Sequence, residues 1–370
     1  MSANYEVWMS DQNGVRIALL EGWDTFQWLR VSNEVGQFAM EFPREKFDRD
    51  LLWGVDRRIE VWRQPVGGTL QLLRVYFARY LLQADSGESR TITIKGPDAN
   101  DLLARRIVAY NAASAEADKA AAAADDMMKA YVNENLGAGA AAGRDITGFG
   151  FSIQADLTAG VVVDKQAARR NLLLVCQELA KASREQGTAV FFDVVDATTT
   201  TFQLRTYTGQ RGIDRTWPDG LNPVILSTEM GNLRDPSYEQ DWRDEWNYVY
   251  AAGQGEEAER EVVAVSDAGR IADSIFNRRE ELFDGRTNSD TDALTDGGNS
   301  RLREGLPVRR FNATLQDTPT FRYQLDWDFG DKLTAEYVGE RFDVDVAAVM
   351  GTVDGLGGEV VEARLDNADQ

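Results

Sequence analysis

Along residues 321–353, apolar and polar side chains alternate in a way that paired strands satisfy. Tyr323, Leu325 and Trp327 take every second position against Arg322, Gln324 and Asp326, the period expected when one strand face is buried. Gly330-Asp331 interrupts the run. Leu333, Ala335 and Tyr337 resume it, and after Gly339 a further segment, Phe342, Val344 and Val346, alternates with Asp343 and Asp345 before an apolar stretch at 347–350. The pattern predicts a three-strand antiparallel meander with acid on its wet side. A lone meander buries too little to be stable, so it needs partner strands from elsewhere in the chain.

Candidates lie upstream. Residues 5–94 hold seven short aromatic or β-branched runs, at 7–8, 16–20, 23–31, 37–42, 58–62, 70–82 and 90–95, separated by turn signals such as Asp11-Gln12-Asn13-Gly14 and Gly67-Gly68. This spacing predicts a small barrel or sandwich over residues 1–96. Pro43 ends one strand because it has no N–H for a ladder. Trp23, Phe26 and Trp28, at strand spacing, fit a core or an interface; the competing reading is a platform for sugar rings.

After Lys95-Gly96-Pro97 the period changes to 3.6. Residues 98–108 place Leu102, Leu103, Ile107 and Val108 on one side of a helix, and the alanine-rich residues 112–136 read as one long helix with Gly137 as its C-cap. Residues 137–143 lack the lysine and hydroxyl of a phosphate-binding loop. Residues 164–186 give the clearest helix, with Ala168, Leu172, Val175, Cys176, Leu179 and Ala182 at three- and four-residue steps. Runs at 189–195 and 201–207 then form a hairpin, so residues 97–222 read as an α+β insert. Strands return from 223. Runs at 246–250 and 260–265 pair as a hairpin, residues 267–281 hold a short helix and a strand, and residues 287–299 form a polar, flexible loop. Residues 308–316 lead back into the opening meander, making 223–370 a second β domain.

Composition narrows the chemistry. The 370 residues are 43% hydrophobic, enough for two or three domains with real cores. No apolar run approaches the roughly 20 residues of a membrane-spanning helix, and the first residues lack the pattern of a signal peptide, so a soluble chain made in a cytoplasm without a membrane anchor is expected. There is no histidine, which removes Ser-His-Asp and Cys-His catalysis and imidazole metal ligands together. One cysteine, Cys176, excludes an internal disulfide and multi-thiolate zinc; on its apolar helical stripe it reads as a buried hydrophobe. Gly253, Gly255 and Ala258 spell a dinucleotide fingerprint, but in a glutamate-rich turn with no βαβ unit after it. Asp290, Asp292 and Asp296 suggest calcium, yet Leu294 and Arg301 fall where an EF-hand loop needs oxygen. No carboxylate pair stands out for glycoside hydrolysis. No catalytic, cofactor or metal residues are therefore assigned, no cofactor is expected, and the chain is read as a non-enzyme.

Charge points away from nucleic-acid capture: 40 basic against 61 acidic residues give −21. Residues 326–369 alone hold twelve acids against Lys332, Arg341 and Arg364. A solvated acidic face explains this; a functional electronegative surface is the sharper alternative.

Several stretches, in order along the chain, carry a resemblance: Val31-Ser-Asn-Glu-Val-Gly36-Gln-Phe38-Ala-Met-Glu-Phe42-Pro43, Ile94-Lys-Gly96-Pro-Asp98-Ala-Asn-Asp-Leu102-Leu103, Asn171-Leu-Leu-Leu-Val175, Thr208-Gly209 through Asp214-Arg215-Thr216, Gly231-Asn232-Leu233, Asn247-Tyr-Val-Tyr250-Ala-Ala-Gly253 and Asp326-Trp327-Asp328-Phe329-Gly330-Asp331. The chain resembles siphophage tail-tip hub proteins, the structural part of the tail-associated lysin family, which are similar to the baseplate hubs of contractile tails. The resemblance implies an α+β, mainly β chain with two tail-tube-like antiparallel β-barrel domains flanking the insert. It implies a homotrimer at the virion tail tip, closing the tube and adapting sixfold to threefold symmetry around a lumen for DNA. Partners would be a distal tail or tail-tube protein above, a tape-measure protein in the lumen and DNA in passage. Many relatives carry a C-terminal lysin, fibre or receptor-binding extension; this chain stops at Gln370, so those roles would fall to a separate tip subunit below. The competing function is a carbohydrate-binding β module contacting the host surface.

Overall fold

The computed structural model describes residues 3–87, 89–109, 117–256, 259–286, 291–315, 318 and 320–367. The chain opens with β1 (Asn4–Ser10), β2 (Arg16–Leu20), β3 (Thr25–Val31) and β4 (Gln37–Pro43). One helical turn, α1 (Arg49–Leu52), is capped by the Asp48 side chain. Then come β5 (Arg58–Gln64), β6 (Gln71–Phe77), β7 (Tyr80–Ser86) and β8 (Ser89–Pro97). The run expected at 70–82 is thus two strands, parted at Ala78-Arg79.

The insert is less helical than its periodicity suggests. It contains α2 (Asp101–Ala104), β9 (Lys119–Ala123), α3 (Ala124–Asn135), β10 (Phe151–Ile153), β11 (Val162–Lys165), α4 (Leu172–Glu185), β12 (Val190–Asp196) and β13 (Phe202–Thr208). Only one turn of the helix expected at 98–108 forms, since Asp98 is held by Arg74 and the Val108 N–H donates to the Arg170 carbonyl. The long alanine helix is likewise shortened. Of residues 112–136, 112–116 lie outside the described residues, Lys119–Ala123 pairs antiparallel with β11, and the helix starts at Ala124. Alanine's helix propensity is a weak preference that a ladder of tertiary hydrogen bonds overrides. α4 begins eight residues later than expected because β11 takes Val162–Lys165 and Arg169 adopts φ +64°; Asn171 then caps Leu174. The hairpin of β12 and β13 stands as expected, Val194 opposite Leu204. Met127, Met128, Tyr131, Val175, Cys176, Leu179, Phe192 and Leu204 join in one core between the helices and these strands.

After β14 (Ile225–Leu226) and β15 (Leu233–Asp241) follow β16 (Tyr248–Ala252), β17 (Val262–Ser266), α5 (Ala268–Ala272), β18 (Glu280–Asp284), α6 (Thr291–Glu304) and β19 (Val308–Leu315). The expected hairpin of β16 and β17 is present, as are the short helix and strand after it. The loop expected at 287–299 is a correction. Residues 287–290 lie outside the described residues, and Thr291 onward is α6. Its glycines are contact points: a Cβ on Gly297 would stand 2.4 Å from the Phe283 ring, and one on Gly298 2.9 Å from Val265. Leu294 is fully buried. The polar, glycine-bearing text was a helix laid close on a sheet.

The chain ends with β20 (Lys332–Tyr337), β21 (Glu340–Asp354) and β22 (Glu359–Asn367). β20 and β21 pair as their alternation requires, Leu333 opposite Val344, across a turn in which Gly339 has φ +80°. The third strand of the meander is β22, not residues 321–327. Those residues form turns in which Asp326 accepts from the Arg322 backbone and guanidinium, while Phe321 stacks on Trp327 at 5.4 Å. The alternation of Tyr323 and Trp327 reflects burial in a compact knot rather than pleating.

By compactness the chain forms two units. The larger comprises Met1–Arg184, Thr188–Pro236 and Asn312–Ala368. It contains a four-stranded sheet, β2-β1-β5-β6, and an eight-stranded sheet ordered β14-β20-β21-β3-β4-β8-β7, with β22 added on β21. The opening and closing segments of the chain therefore share one sheet: β21 pairs with β20 through residues 340–345 and with β3 through 348–354. The smaller unit is built mainly from Ser237–Phe311. There α6 covers one face of the sheet β17-β16-β18.

Candidate functional site

Two buried ionic clasps hold the larger unit in shape. Arg63 on β5 is wholly buried and donates to both oxygens of Glu359 on β22, at 2.9 and 3.0 Å, and to the Tyr323 carbonyl at 2.9 Å. The Tyr5 hydroxyl donates to Glu359 and accepts from Trp28 Nε1 at 3.1 Å. Burial, then the neighbouring Glu359, push the Tyr5 pKa well up, so the phenol keeps its proton and stays a donor. Trp28 in turn stacks on Tyr323 at 5.6 Å and lies against Gly351, where a Cβ would sit 2.2 Å from the indole. Five segments far apart in sequence converge here.

The second clasp ties the sheets to the insert. Arg74 on β6 reaches Asp98 at 2.6 Å and Asp193 at 2.7 Å, with Asp196 at 3.8 Å; Arg211 holds the other oxygen of Asp193. Burial works against the Asp193 carboxylate, but Arg74 and Arg211 outweigh it and hold its pKa down to about 2. Asp196 has only the Val75 N–H and a distant guanidinium, and burial pushes it up to about 7. Its Oδ1 has no hydrogen-bond partner. Such a group is a fastener with one strand loose.

Several residues in the stretches that carry the family resemblance make further tertiary contacts. Asn33, at φ +58°, accepts from the Phe192 N–H at 2.8 Å, and Asn100 accepts from the Val194 N–H at 2.7 Å, so two turns of the sheet grip the same strand, β12. A Cβ on Gly36 would strike the Leu29 carbonyl and Asp98, and one on Gly96 would stand 1.7 Å from the Phe77 oxygen. Asp331 pairs with Arg215, and Asn247 accepts from the Arg279 N–H. Sequence reasoning noticed these residues without seeing what they held. Their signal was short polar groups, Ser32-Asn33 and Asp98-Ala99-Asn100, set in turns between apolar runs.

Other candidates resolve differently. Phe26 and Trp28 are fully buried in the core, and half-buried Trp23 packs edge-on to Phe26. Cys176 is buried and its pKa is pushed up to about 12, which leaves the thiol protonated and unreactive. Gly253 and Gly255 sit between β16 and β17, with Ala258 outside the described residues. Asp292 and Asp296 lie on α6, and Asp290 is outside the described residues. Among the described residues no group of three or more His, Cys, Asp or Glu side chains could hold a metal ion, and no helix is long and apolar enough to cross a membrane. The acidic segment 326–369 is largely neutralised in place: Asp326, Asp328, Asp331, Glu336, Asp343, Glu359 and Asp366 each stand within 4.0 Å of an arginine or lysine nitrogen.

The outer side of the eight-stranded sheet is half-buried to exposed. Register places Tyr80, Leu82 and Ala84 of β7 beside Lys95, Thr93 and Thr91 of β8, then Ala39 and Glu41 of β4, then Gln27 and Thr25 of β3. Beyond β22 a cleft of about 370 Å³ opens between the sheet and α4.

The fold as a whole is similar to that of solved phage tail proteins. The 43 kDa tail protein of prophage MuSo2 from Shewanella oneidensis has the same fold, with a TM-score of 0.63 over 100% of this chain and 99% of that one at 12% identity. A tail protein from Neisseria meningitidis MC58 gives 0.58 over 98% and 96% at 14% identity, and prophage tail protein gp18 from Listeria monocytogenes EGD-e gives 0.59 over 99% and 95% at 10% identity. The chain belongs to the family described as Siphovirus ReqiPepy6 Gp37-like protein, whose profile matches residues 4–365. Comparison with curated proteins by sequence finds no significant match.

Proposed function

We propose that this chain is a structural hub of a phage tail tip, working through shape and contact rather than catalysis. Three copies would close a ring around a lumen, with the β segments 1–96 and 223–370 as tube-like barrel domains and 97–222 as the insert that braces them. The ring would adapt a sixfold tube to a threefold tip. A distal tail or tail-tube protein would sit above it, a tape-measure protein within it and a separate tip, fibre or receptor-binding subunit below. DNA would pass only during ejection.

The observation that carries this reading is family membership over residues 4–365, joined by a fold shared end to end with three tail proteins. The buried clasps add physical support, since an adaptor must keep its geometry under load. The carbohydrate-binding alternative loses its platform, because Phe26 and Trp28 face the core. Cryo-electron microscopy of purified tails tests the proposal: a threefold ring of this chain with an axial pore is expected. A single copy per tail, or a location away from the tip, would overturn it.

A further inference from the structure

We propose that Asp196 is a proton-controlled latch: while it carries a proton it fastens the β12–β13 turn over the outer edge of β6, and when that proton is lost to solvent the turn lets go. The latch belongs to the single chain and holds whether or not copies form a ring. β6 ends its four-stranded sheet, so its outward N–H groups need partners from elsewhere. Val75 finds one in Asp196, whose Oδ2 accepts from its N–H at 3.1 Å. Two further contacts hold the same turn. Arg58 donates to the Thr199 carbonyl at 2.8 Å, and a Cβ on Gly14 would stand 2.5 Å from the Thr200 methyl.

Three carboxylates meet the Arg74 guanidinium, and Asp196 is the one left over. Asp98 takes two Arg74 nitrogens, at 2.6 and 3.0 Å, and the Asn100 N–H at 3.0 Å, donors that work against the upward push of burial. Asp193 shares Arg74 at 2.7 Å and has Arg211 besides. Asp196 stands 3.8 Å from Arg74 with its side chain 6% exposed, and its Oδ1 accepts from nothing. The other charged and titratable groups around it are engaged elsewhere. Arg58 holds Thr199 and lies over the Phe202 ring; Arg30 serves Asp328 and Tyr323; Glu60 is held by Ser10 and Arg16. The Tyr76 hydroxyl, kept protonated by burial, donates to the Leu29 carbonyl, and exposed Asp11 accepts from its own turn. Phe202, opposite Asp196 across the strands, adds an apolar wall. A buried carboxyl with so few donors is far costlier as an anion than as an acid, and burial sets it at about 7. The closed turn is therefore fully stabilised below the ordinary carboxylate range near 4, and that stabilisation is lost as pH rises through 7.

Hydrogen exchange on the purified full chain, corrected for the intrinsic pH dependence of exchange, reads the latch at Val75 and residues 197–201. Their protection should fall about 50-fold between pH 5 and 7 and only about twofold more by pH 8.5, as a carboxyl at about 7 when closed and near 4 when open requires. At pH 8.5 the turn should be about tenfold or more less protected than residues 333–337 of β20, because it opens without the rest of the fold. Asp196→Asn should remove the slope. Should that variant not fold, the native chain still decides: its infrared spectrum should show at pH 6 a protonated carboxyl band that is gone at pH 8.5. Turn protection that is flat across pH, or equal to that of β20 at pH 8.5, would overturn the latch. So would a slope that survives Asp196→Asn, or the absence of that band at pH 6.

Discussion

Gly351 and Trp28 offer the sharpest test of the seam between the two ends of the chain. They are direct cross-strand partners of β21 and β3, and Trp28 is wholly buried, hydrogen-bonded to Tyr5 and stacked on Tyr323, so the indole has nowhere to go. A methyl at position 351 would lie 2.2 Å from the ring. Gly351→Ala should therefore cost about 2 kcal/mol through overpacking. Trp28→Leu alone should cost about 3 kcal/mol by removing the ring and its hydrogen bond. In the Trp28→Leu background the obstruction is gone, and glycine in a strand interior is about 0.5–1 kcal/mol worse than alanine, so Gly351→Ala should change sign and stabilise. Urea unfolding followed by circular dichroism reads this as a midpoint that falls in one background and rises in the other at constant m. Equal costs in both backgrounds would refute the register and the packing argument built on it.

Other expectations follow from the clasps and the smaller unit. Glu359→Gln strips the buried Arg63 of its counter-charge and should cost about 3–5 kcal/mol, whereas Arg364→Ala on the same strand, half exposed, should change stability by less than about 0.5 kcal/mol; chemical denaturation ranks the two. Asp196, with its folded pKa raised to about 7, contributes stability that is present below the unfolded carboxylate range near 4 and lost as pH rises through 7. Asp193, depressed to about 2, acts the other way, its contribution being lost as pH falls from about 4 toward 2. Asp196→Asn should flatten the decline between pH 4 and 7, and an unchanged pH profile in denaturant midpoint would count against the assignment. Gly297→Val drives a side chain into Phe283 and should strip hydrogen-exchange protection from residues 291–304 while leaving β20 to β22 protected. Native Cys176 should resist maleimide at neutral pH and react fully in urea.

Where one strand face meets water, the chain could be read directly. Leu333, Ala335, Phe342 and Val344 mark β20 and β21 because their neighbours are polar, and the hairpins β12–β13 and β16–β17 follow from turn chemistry between apolar runs. Misreadings came where local preference and tertiary demand disagreed. Alanines 120–123 were free to become a strand because nothing in their side chains resists it. Gly297 and Gly298 looked like loop residues but are the smooth face of a close-packed helix. Residues 321–327 alternate because Phe321, Tyr323 and Trp327 are buried and the first and second pack on the third, not because the backbone is pleated. The clasps were out of reach altogether: Arg63 with Glu359 and Asn33 with Phe192 are joined by topology, and no local period announces a partner so far away.

One strand is made long after the strand it completes. Val31 of β3 lies opposite Ala348 of β21, 317 positions later. At ribosomal speeds of roughly 5–20 residues per second, β3 waits on the order of 16–60 s for its neighbour, with a ladder of unpaired amides turned to a crowded cytosol. Closure must await synthesis of β21, so yield in a host cell should depend on whatever shields that early edge, and removal of β21 should harm the beginning of the molecule as much as its end.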